Sequence, residues 1–273
     1  MSNYIEIKIE SISSEESEIL IARLSEIGFE GFEEGENFLS AYIEQSLLNE
    51  IELKNLLSSH HLAYSKNLIE QKNWNEEWEK NFELVIIDDF VAIRAPFHKP
   101  VKDVEYEIII TPKMSFGTGH HATTYMMIQQ MRHIDFKGKN VLDFGTGTGV
   151  LAIIAEKLGA SKILAIDNDE WSMSNASENI GRNNCKNIQL LLSDSPILSN
   201  KLDMIFANIN KNVIFQYLEV FSNALIENGQ LLVSGLLKED EVDILNAIYQ
   251  LNLKHINTFL RDKWICMKLI KLF

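Results

Sequence analysis

The chain is poor in cysteine and has no long apolar run. Its two cysteines, Cys185 and Cys266, lie far apart in 273 residues without metal-ligand spacing, so we expect free thiols in a reducing cytoplasm. No apolar stretch approaches the roughly 18 residues of a membrane-spanning helix. The N-terminus has neither a basic region nor an apolar signal core. With 46% hydrophobic residues, the sequence predicts a cytoplasmic protein with a substantial apolar core.

Aspartate is absent from the first 80 residues, which are also short of cations. They contain 17 glutamates against 6 lysines and arginines, and so carry −11 of the net charge of −14. This balance argues against phosphate binding by that part of the chain. It suits a basic protein partner that is attracted over long range. Solubility alone is the simpler explanation, so composition leaves both interpretations open.

Residues 1–70 show the pattern of a small ferredoxin-like α+β domain. The order is strand, helix, strand, strand, helix, strand. A capping box at Ser13 and Glu16 marks the start of the first helix. Leu47 and Ile51 are predicted to face inward from the second helix. The segment has no catalytic constellation, which predicts a domain for substrate recognition.

Two tryptophans, Trp74 and Trp78, are spaced to share one face of a helix. We therefore predict a connecting helix at residues 71–82, in which packing is the more common role of such aromatic side chains. Residues 83–273 then form a second, larger domain.

A glycine-rich stretch, residues 141–151, organises this larger domain. It predicts a buried strand, a tight turn and the start of a helix whose amides face a ligand. Three glycines let the backbone turn sharply and lie bare against that ligand: Gly145, Gly147 and Gly149. The next strand, residues 162–167, ends in Asp167, a carboxylate suited to the two hydroxyls of a ribose. The combination predicts a nucleoside cofactor.

The third glycine of a dinucleotide fingerprint is missing, because position 150 is Val150. A cofactor without a pyrophosphate needs no such glycine. S-adenosyl-L-methionine fits this pattern, with Asp143 placing its ammonium group. Further strands end near Asp194 and at Asn208, and an antiparallel pair closes the array. An α/β, Rossmann-like sheet with a C-terminal antiparallel hairpin is typical of class I methyltransferases, not of dehydrogenases.

A second unusual stretch, residues 111–124, combines two glycines, several threonines and paired histidines. It is too polar and irregular for a core element, so we expect a loop at the mouth of the cofactor site. Thr123 or Thr124 is predicted to cap the helix that follows. The pair His120 and His121 has no acidic or cysteine partner at suitable spacing, so no metal site is expected.

These residues resemble those of a known family. The loop from Phe116 to Thr124, the run from Asp143 to Gly149, Asp167, and the segment 207–209 are similar to the PrmA family of bacterial methyltransferases. The resemblance extends over nearly the whole chain. It implies methyl transfer from S-adenosyl-L-methionine to lysine side chains and to the N-terminal amine of large-subunit ribosomal protein eleven, docked by the small domain.

Carried over by position, the resemblance implies cofactor contacts at Thr124, Gly145, Asp167 and Asn208. The sequence departs from the family at Ala122, Thr146 and Thr148, where the family often has proline, cysteine and serine. Those positions act through backbone and small size, so we expect little change from these differences.

The proposed chemistry depends mostly on alignment, because a sulfonium methyl group is already activated. The amine must arrive neutral, and desolvation beside the sulfonium lowers its pKa. Asn208 is predicted to accept a hydrogen bond from the amine, and His121 to relay its proton, with loop anchoring as the other role of His121. The predicted cofactor-binding residues are Thr124, Asp143, Gly145, Gly147, Gly149, Asp167, Asp194 and Asn208. We expect a monomer.

Three other functions stay open at this point. Val150 and the hairpin argue against an oxidoreductase on a nucleotide-binding fold. A class I methyltransferase acting on another protein or on RNA is a second alternative. In nucleic-acid enzymes, prolines commonly follow the asparagine beside a flipped base, but here Ile209 follows Asn208, and no basic face is evident. The third alternative is a non-catalytic adapter, which would not bind the cofactor.

Overall fold

The computed structural model describes residues 3–35, 37–59, 62–69, 82–113, 115–196 and 200–273. The chain forms two compact units, Met1–Glu77 and Trp78–Phe273. Most of the predicted connecting helix, including Trp74 and Trp78, lies outside the described residues. No helix within the described ranges has the length and apolar character that crossing a membrane requires.

In its described residues, the first unit combines a four-stranded sheet with two α-helices. Its elements are β1 (Tyr4–Glu10), α1 (Ser14–Glu26), β2 (Gly31–Gly35), β3 (Phe38–Glu44), α2 (Glu50–Ser59) and β4 (Tyr64–Ile69). The strands pair in the order β2-β3-β1-β4 and all pairs are antiparallel, which is the ferredoxin-like topology. The capping box at Ser13 is present with both of its hydrogen bonds. The predicted α+β fold is therefore confirmed.

The inward face of α2 differs from the prediction. Leu47 and Ile51 are 61% and 73% exposed, whereas Leu53 and Leu57 are buried. The Asn49 side chain accepts hydrogen bonds from two backbone N–H groups of the first helical turn, so the α-helix begins directly after it. Leu47 precedes this start, and Ile51 lies two positions before Leu53, on the opposite side of the helix. The prediction for both residues is wrong.

The second unit is built around a seven-stranded sheet and a smaller three-stranded one. Its elements are β5 (Val85–Ile87), β6 (Val91–Arg94), β7 (Tyr106–Ile109), α3 (Ala122–Met131), β8 (Asn140–Phe144), α4 (Val150–Lys157), β9 (Lys162–Asp167), α5 (Glu170–Arg182), β10 (Ile188–Leu192), β11 (Leu202–Asn208), α6 (Lys211–Ala224), β12 (Leu225–Leu237), α7 (Glu241–Ile248), β13 (Leu253–Arg261) and β14 (Trp264–Lys271). Strands β5, β6 and β7 form the small sheet, with β6 in the middle.

The large sheet has the strand order β10-β9-β8-β11-β12-β14-β13. The first five of these strands are parallel, and β14 is antiparallel to both of its neighbours. Strand β8 is covered on both faces, since Val141 belongs to one buried apolar cluster and Leu142 to another. The predicted parallel sheet with a C-terminal antiparallel hairpin is confirmed.

The register places the carboxyl ends of three strands side by side. Phe144 of β8 is the register partner of both Ile166 in β9 and Ala207 in β11. Each of these positions is followed directly by a predicted site residue: Gly145, Asp167 and Asn208. Ligands of open α/β sheets bind beyond the carboxyl ends of the strands. The fold therefore gathers these three residues at the edge where a ligand is expected.

Candidate active site

The glycine turn follows β8 and is closed by the neighbouring strand. The backbone N–H groups of Gly145 and Thr146 both donate to the carbonyl oxygen of Ile166, at 2.8 and 2.9 Å. The φ angles at positions 145, 147 and 149 are +78°, +55° and +81°, in the left-handed region that favours glycine. The predicted turn is thus fixed in part by the strand that carries Asp167.

Close packing within the chain explains two of the glycines. A Cβ atom at Gly147 would overlap the carbonyl oxygen of Phe116, and one at Gly145 would overlap the side chain of Ile209. The same Phe116 oxygen accepts a hydrogen bond from the Thr148 N–H at 2.9 Å. The sequence predicts that the bare backbone of this turn contacts a ligand. The structure shows that Phe116 and Ile209 also approach this backbone closely.

We expect Gly147→Ala to destabilise the turn, because the added methyl group meets backbone atoms. Gly138→Ala is a matched control: its φ of +74° imposes similar strain, but nothing lies within 4 Å of its Cβ position. Left-handed strain alone costs about 1–2 kcal/mol, and the clash should add about 1 kcal/mol or more. Urea unfolding of both variants measures the difference. Equal losses would show that packing at Gly147 is not decisive.

Asp167 is fixed by two backbone groups. Its Oδ2 accepts from the Gly147 N–H at 2.8 Å, and its Oδ1 accepts from the Asp169 N–H at 3.1 Å. The carboxylate lies in the wall of a cavity of about 350 Å³. Other lining residues include Gly145, Asn168, Ser193, Asp194, Ile209 and Tyr217. Three predicted cofactor-binding residues, at positions 145, 167 and 194, therefore share one cavity.

Asp143 is fully buried and does not line this cavity. Its Oδ2 accepts a hydrogen bond from the Thr146 hydroxyl at 2.6 Å. Burial raises the pKa of the Asp143 carboxyl to about 6, and the nearby charge of Asp167 adds to the rise. Hydrogen bonds from Thr146 and from the Ala152 backbone act in the opposite direction. This position suits ordering of the glycine turn, and contact with an ammonium group stays a prediction.

The raised pKa of Asp143 implies a pH-dependent contribution to stability. An unfolded aspartate has a pKa of about 3.9, so between about pH 4 and 6 the folded chain holds this proton more tightly than the unfolded chain. The free energy of unfolding therefore falls as pH rises through this window, by about 3 kcal/mol from this group. Asp143→Asn should remove that dependence. Urea unfolding of both proteins from acid to neutral pH measures it, and parallel curves would contradict it.

Asn208 ends β11 at the same sheet edge. Its Nδ2 donates to the hydroxyl of Thr124 at 3.2 Å, and Thr124 is completely buried. The Oδ1 atom of Asn208 is buried without a hydrogen-bond partner among the described residues. A buried acceptor without a partner is costly, and it is expected where a ligand completes the bond. The predicted residues Thr124 and Asn208 are therefore in contact, with one acceptor open.

His121 caps helix α3. Its Nδ1 accepts from the Thr123 N–H at 3.3 Å and lies 2.8 Å from the Thr123 hydroxyl. The prediction of a cap at Thr123 or Thr124 is wrong, because the helix begins at Ala122 and both threonines lie inside its first turn. The anchoring role considered for His121 is therefore present in the structure.

The surroundings of His121 favour its neutral form. Burial lowers the pKa of His121, and the nearby Lys263 lowers it further. The rings of Phe116 and Trp264 pack edge-on against the imidazole, with centroid distances of 5.3 and 4.8 Å. Trp264 begins β14, so the last strand of the sheet contributes to the environment of this loop.

Several cavity residues go beyond the predicted cofactor-binding residues, among them Asn168, Ser193 and Tyr217. Asn168 and Ser193 directly follow the ends of β9 and β10, and their strand-end positions are the signal that identifies them. Tyr217 reaches the cavity from within α6, and its hydroxyl donates to the backbone oxygen of Asp194 at 3.0 Å. A residue inside a helix has no such signal, because only the packing of α6 on the sheet brings it to the edge.

Fold and site define the class of this protein. A sheet of this strand order, with a glycine turn after β8 and a carboxylate at the end of the neighbouring β9, is that of the class I methyltransferases. A family model described as "Ribosomal protein L11 methyltransferase (PrmA)" matches residues 3–271. The chain belongs to this family, as the resemblance implies, and membership removes the oxidoreductase alternative.

Individual relatives agree with this assignment. The chain is 38% identical over 262 residues to a ribosomal protein L11 methyltransferase of Phocaeicola vulgatus, covering 93% of each protein. It is 40% identical over 263 residues to that of Porphyromonas gingivalis, covering 92% of this chain and 89% of the relative. A solved structure of a ribosomal protein L11 methylase from Lactobacillus delbrueckii subsp. bulgaricus superposes with a TM-score of 0.65 at 27% identity, over 70% of this chain and all of the other.

Proposed function

We propose that this protein transfers methyl groups from S-adenosyl-L-methionine to amines of ribosomal protein L11, both lysine side chains and the N-terminal amine. The observation that carries the proposal is the open, buried amide oxygen of Asn208, one residue before the cavity-lining Ile209. The relatives from Phocaeicola vulgatus and Porphyromonas gingivalis, described as L11 methyltransferases, support the choice of substrate.

The cavity residues fit this cofactor. Asp167, held by two N–H groups, would accept hydrogen bonds from the ribose hydroxyls. Gly145 would border the cofactor, and Asp194 would accept from a further donor group. Thr124 is buried outside the cavity wall and would act through Asn208, to which it is hydrogen-bonded. When bound, S-adenosyl-L-methionine supplies a methyl group on a positively charged sulfur, which an amine nitrogen can take directly.

Asn208 would orient the incoming amine. Its Oδ1 would accept one N–H of the amine, while the hydroxyl of Thr124 fixes the rotation of the side chain through Nδ2. The amine must be neutral for its lone pair to react. An uncharged amide oxygen favours the protonated amine less than a carboxylate would, so asparagine suits this position better than aspartate.

His121 is proposed as the acceptor of the proton that the amine loses. Its lowered pKa keeps the ring neutral near pH 7, which is the form that can accept. The neutral ring can take this proton at Nε2 only as the tautomer in which Nδ1 carries hydrogen and donates to the Thr123 hydroxyl, 2.8 Å away, in place of the bond from the Thr123 N–H. A residue that only caps α3 would not influence the pH profile of methyl transfer, so the pH–rate profile of His121→Asn distinguishes the two roles.

We further propose that residues 1–70 recognise the ribosomal protein and that residues 83–273 carry out the transfer in the cytoplasm. The excess of glutamate in the first 80 residues suits a basic protein partner. Residues 78–273 alone should bind S-adenosyl-L-methionine with full affinity, but should methylate L11 about 100-fold more slowly or worse, because the substrate is no longer held in place. Calorimetry and methyl-transfer rates test this, and full transfer by the truncated chain would contradict it.

The direct test of the function is mass spectrometry of purified L11 after incubation with the full chain and methyl-labelled S-adenosyl-L-methionine. We expect mass increments of whole methyl groups on L11, located at lysines and at the terminal amine. Parallel incubations with other ribosomal proteins and with ribosomal RNA test the alternative substrates. Label confined to RNA or to another protein would overturn the choice of L11, and absence of cofactor binding would favour the adapter.

A further inference from the structure

Three asparagines form a column on one face of α5, at spacings of four residues. Asn175 and Asn179 are completely buried, and Asn183, which caps the helix, is 7% exposed. Their amide groups bond to the backbone of the segment that leaves β7. Asn183 accepts from the N–H of Ile109 at 3.0 Å and donates to its carbonyl at 2.7 Å. These side-chain amides thus make the hydrogen bonds that the backbone of a neighbouring strand would otherwise make.

Asn179, the middle residue of the column, is hydrogen-bonded to two different segments of the chain. Asn179 accepts from the Thr111 N–H at 2.8 Å through Oδ1, and donates to the carbonyl oxygen of Thr148 at 2.9 Å through Nδ2. Thr111 leads into the loop that carries Phe116 and His121, and Thr148 lies in the glycine turn. One buried amide therefore joins the start of the loop to the turn.

Thr148 is in turn hydrogen-bonded to the loop that carries Phe116 and His121. Its N–H donates to the carbonyl of Phe116 at 2.9 Å, and its hydroxyl donates to the carbonyl of Gly117 at 2.7 Å. Helix α5 begins beside Asp167, because the N–H of its N-cap residue, Asp169, donates to the Asp167 carboxylate in the cavity wall. A single helix thus orders both the ribose-binding carboxylate and the loop that leads to α3.

We propose that Asn179 is a positioning residue of the cofactor site: it holds the loop at residues 115–121 in the binding-competent conformation through Thr148. This inference rests on the proposed cofactor, S-adenosyl-L-methionine. Without the Asn179 amide the loop is docked for only part of the time, and the apparent dissociation constant rises by the inverse of the docked fraction. Bound cofactor restores the docked loop, so turnover at saturation changes little.

Asn183 provides the matched control, because it makes the same kinds of hydrogen bond to the same segment but has no bond to the glycine turn. Asn179→Ala should raise the dissociation constant of S-adenosyl-L-methionine, measured by titration calorimetry, about tenfold. Asn183→Ala should change it by no more than about twofold, although both variants lose similar melting temperature. In methyl-transfer assays, Asn179→Ala should raise the KM for the cofactor and leave kcat near the wild-type value.

A second measurement keeps the test decisive if Asn179→Ala folds poorly. Thr148→Val removes only the hydroxyl bond to Gly117, while Thr148→Ser keeps it. Thr148→Val should raise the dissociation constant of the cofactor and speed amide hydrogen exchange in residues 115–121, and Thr148→Ser should restore both. Combined with Asn179→Ala, the effect of Thr148→Val should be less than additive, since both act on one connection.

Equal losses of cofactor affinity in Asn179→Ala and Asn183→Ala would show that the column is only structural and would overturn the proposal. Unchanged affinity in both Asn179→Ala and Thr148→Val would also overturn it. Failure of the wild-type protein to bind S-adenosyl-L-methionine would refute the proposed function itself, an outcome that the wild-type titration reveals before any variant is compared.

Discussion

Asp167→Ala should weaken the binding of S-adenosyl-L-methionine by a factor of about 100 or more. The variant removes the carboxylate from the cavity wall, and with it the acceptor of the Gly147 and Asp169 N–H groups. A hydrogen bond to a charged group contributes about 1.5–3 kcal/mol, and the ribose would lose two of them. Titration calorimetry of the full chain measures the change.

Asp169→Ala is the control for this variant. The Asp169 carboxylate accepts from the N–H and the hydroxyl of Ser172, at 2.9 and 2.8 Å, and caps α5, but it does not line the cavity. Its loss should cost about 1 kcal/mol of stability and leave cofactor affinity unchanged. If Asp167→Ala binds the cofactor with wild-type affinity, the Asp167 carboxylate does not bind the ribose hydroxyls. Equal weakening in Asp169→Ala would show that the start of α5, not the carboxylate of Asp167, is responsible.

Asn208→Ala should lower kcat for methylation of L11 by about 100-fold, with a much smaller effect on cofactor binding. The variant removes the buried Oδ1, which has no hydrogen-bond partner in the described part of the chain, so the amine loses the group that orients it. Rates at saturating cofactor measure the effect. Calorimetry with S-adenosyl-L-methionine shows whether the cofactor site is intact. An unchanged kcat would remove Asn208 from the catalytic residues.

Two further substitutions separate orientation from charge at this position. Asn208→Asp places a carboxylate beside the amine, which favours its protonated form, so the pH–rate profile should move to higher pH. Thr124→Val keeps the shape of the threonine but removes the hydroxyl that fixes Nδ2, and we expect a smaller loss than in Asn208→Ala. A profile that does not move in Asn208→Asp would show that the amine does not contact this side chain.

The positions at strand ends could be predicted from the sequence, because they follow from local patterns. A buried apolar run, three glycines and a terminal carboxylate indicate the turn after β8 and Asp167 at the end of β9. Asn208 follows from the same argument, since the parallel sheet places all carboxyl ends at one edge. Each of these predictions needs only the periodicity of one strand and the general rule of parallel sheets.

The asparagine column could not be predicted in this way. A polar residue every four positions along a helix normally indicates a solvated face. In the structure, Asn179 is buried because the segment after β7, nearly 70 residues earlier in the chain, supplies its hydrogen-bond partner. The close approach of the Phe116 carbonyl oxygen to Gly147 also joins segments that are far apart in the sequence. Contacts between distant segments leave no periodic signal in either segment.

Strand β14 has a consequence for the synthesis of the protein. It comes later in the chain than the other strands of the large sheet, yet it lies inside the sheet, between β12 and β13. Its first residue, Trp264, packs on His121. During vectorial synthesis the ribosome therefore exposes the glycine turn and Asn208 long before His121 gains this neighbour. The residues at the carboxyl ends of β8, β9 and β11 are therefore synthesised first, and the surroundings of His121 are completed only when β14 inserts between β12 and β13.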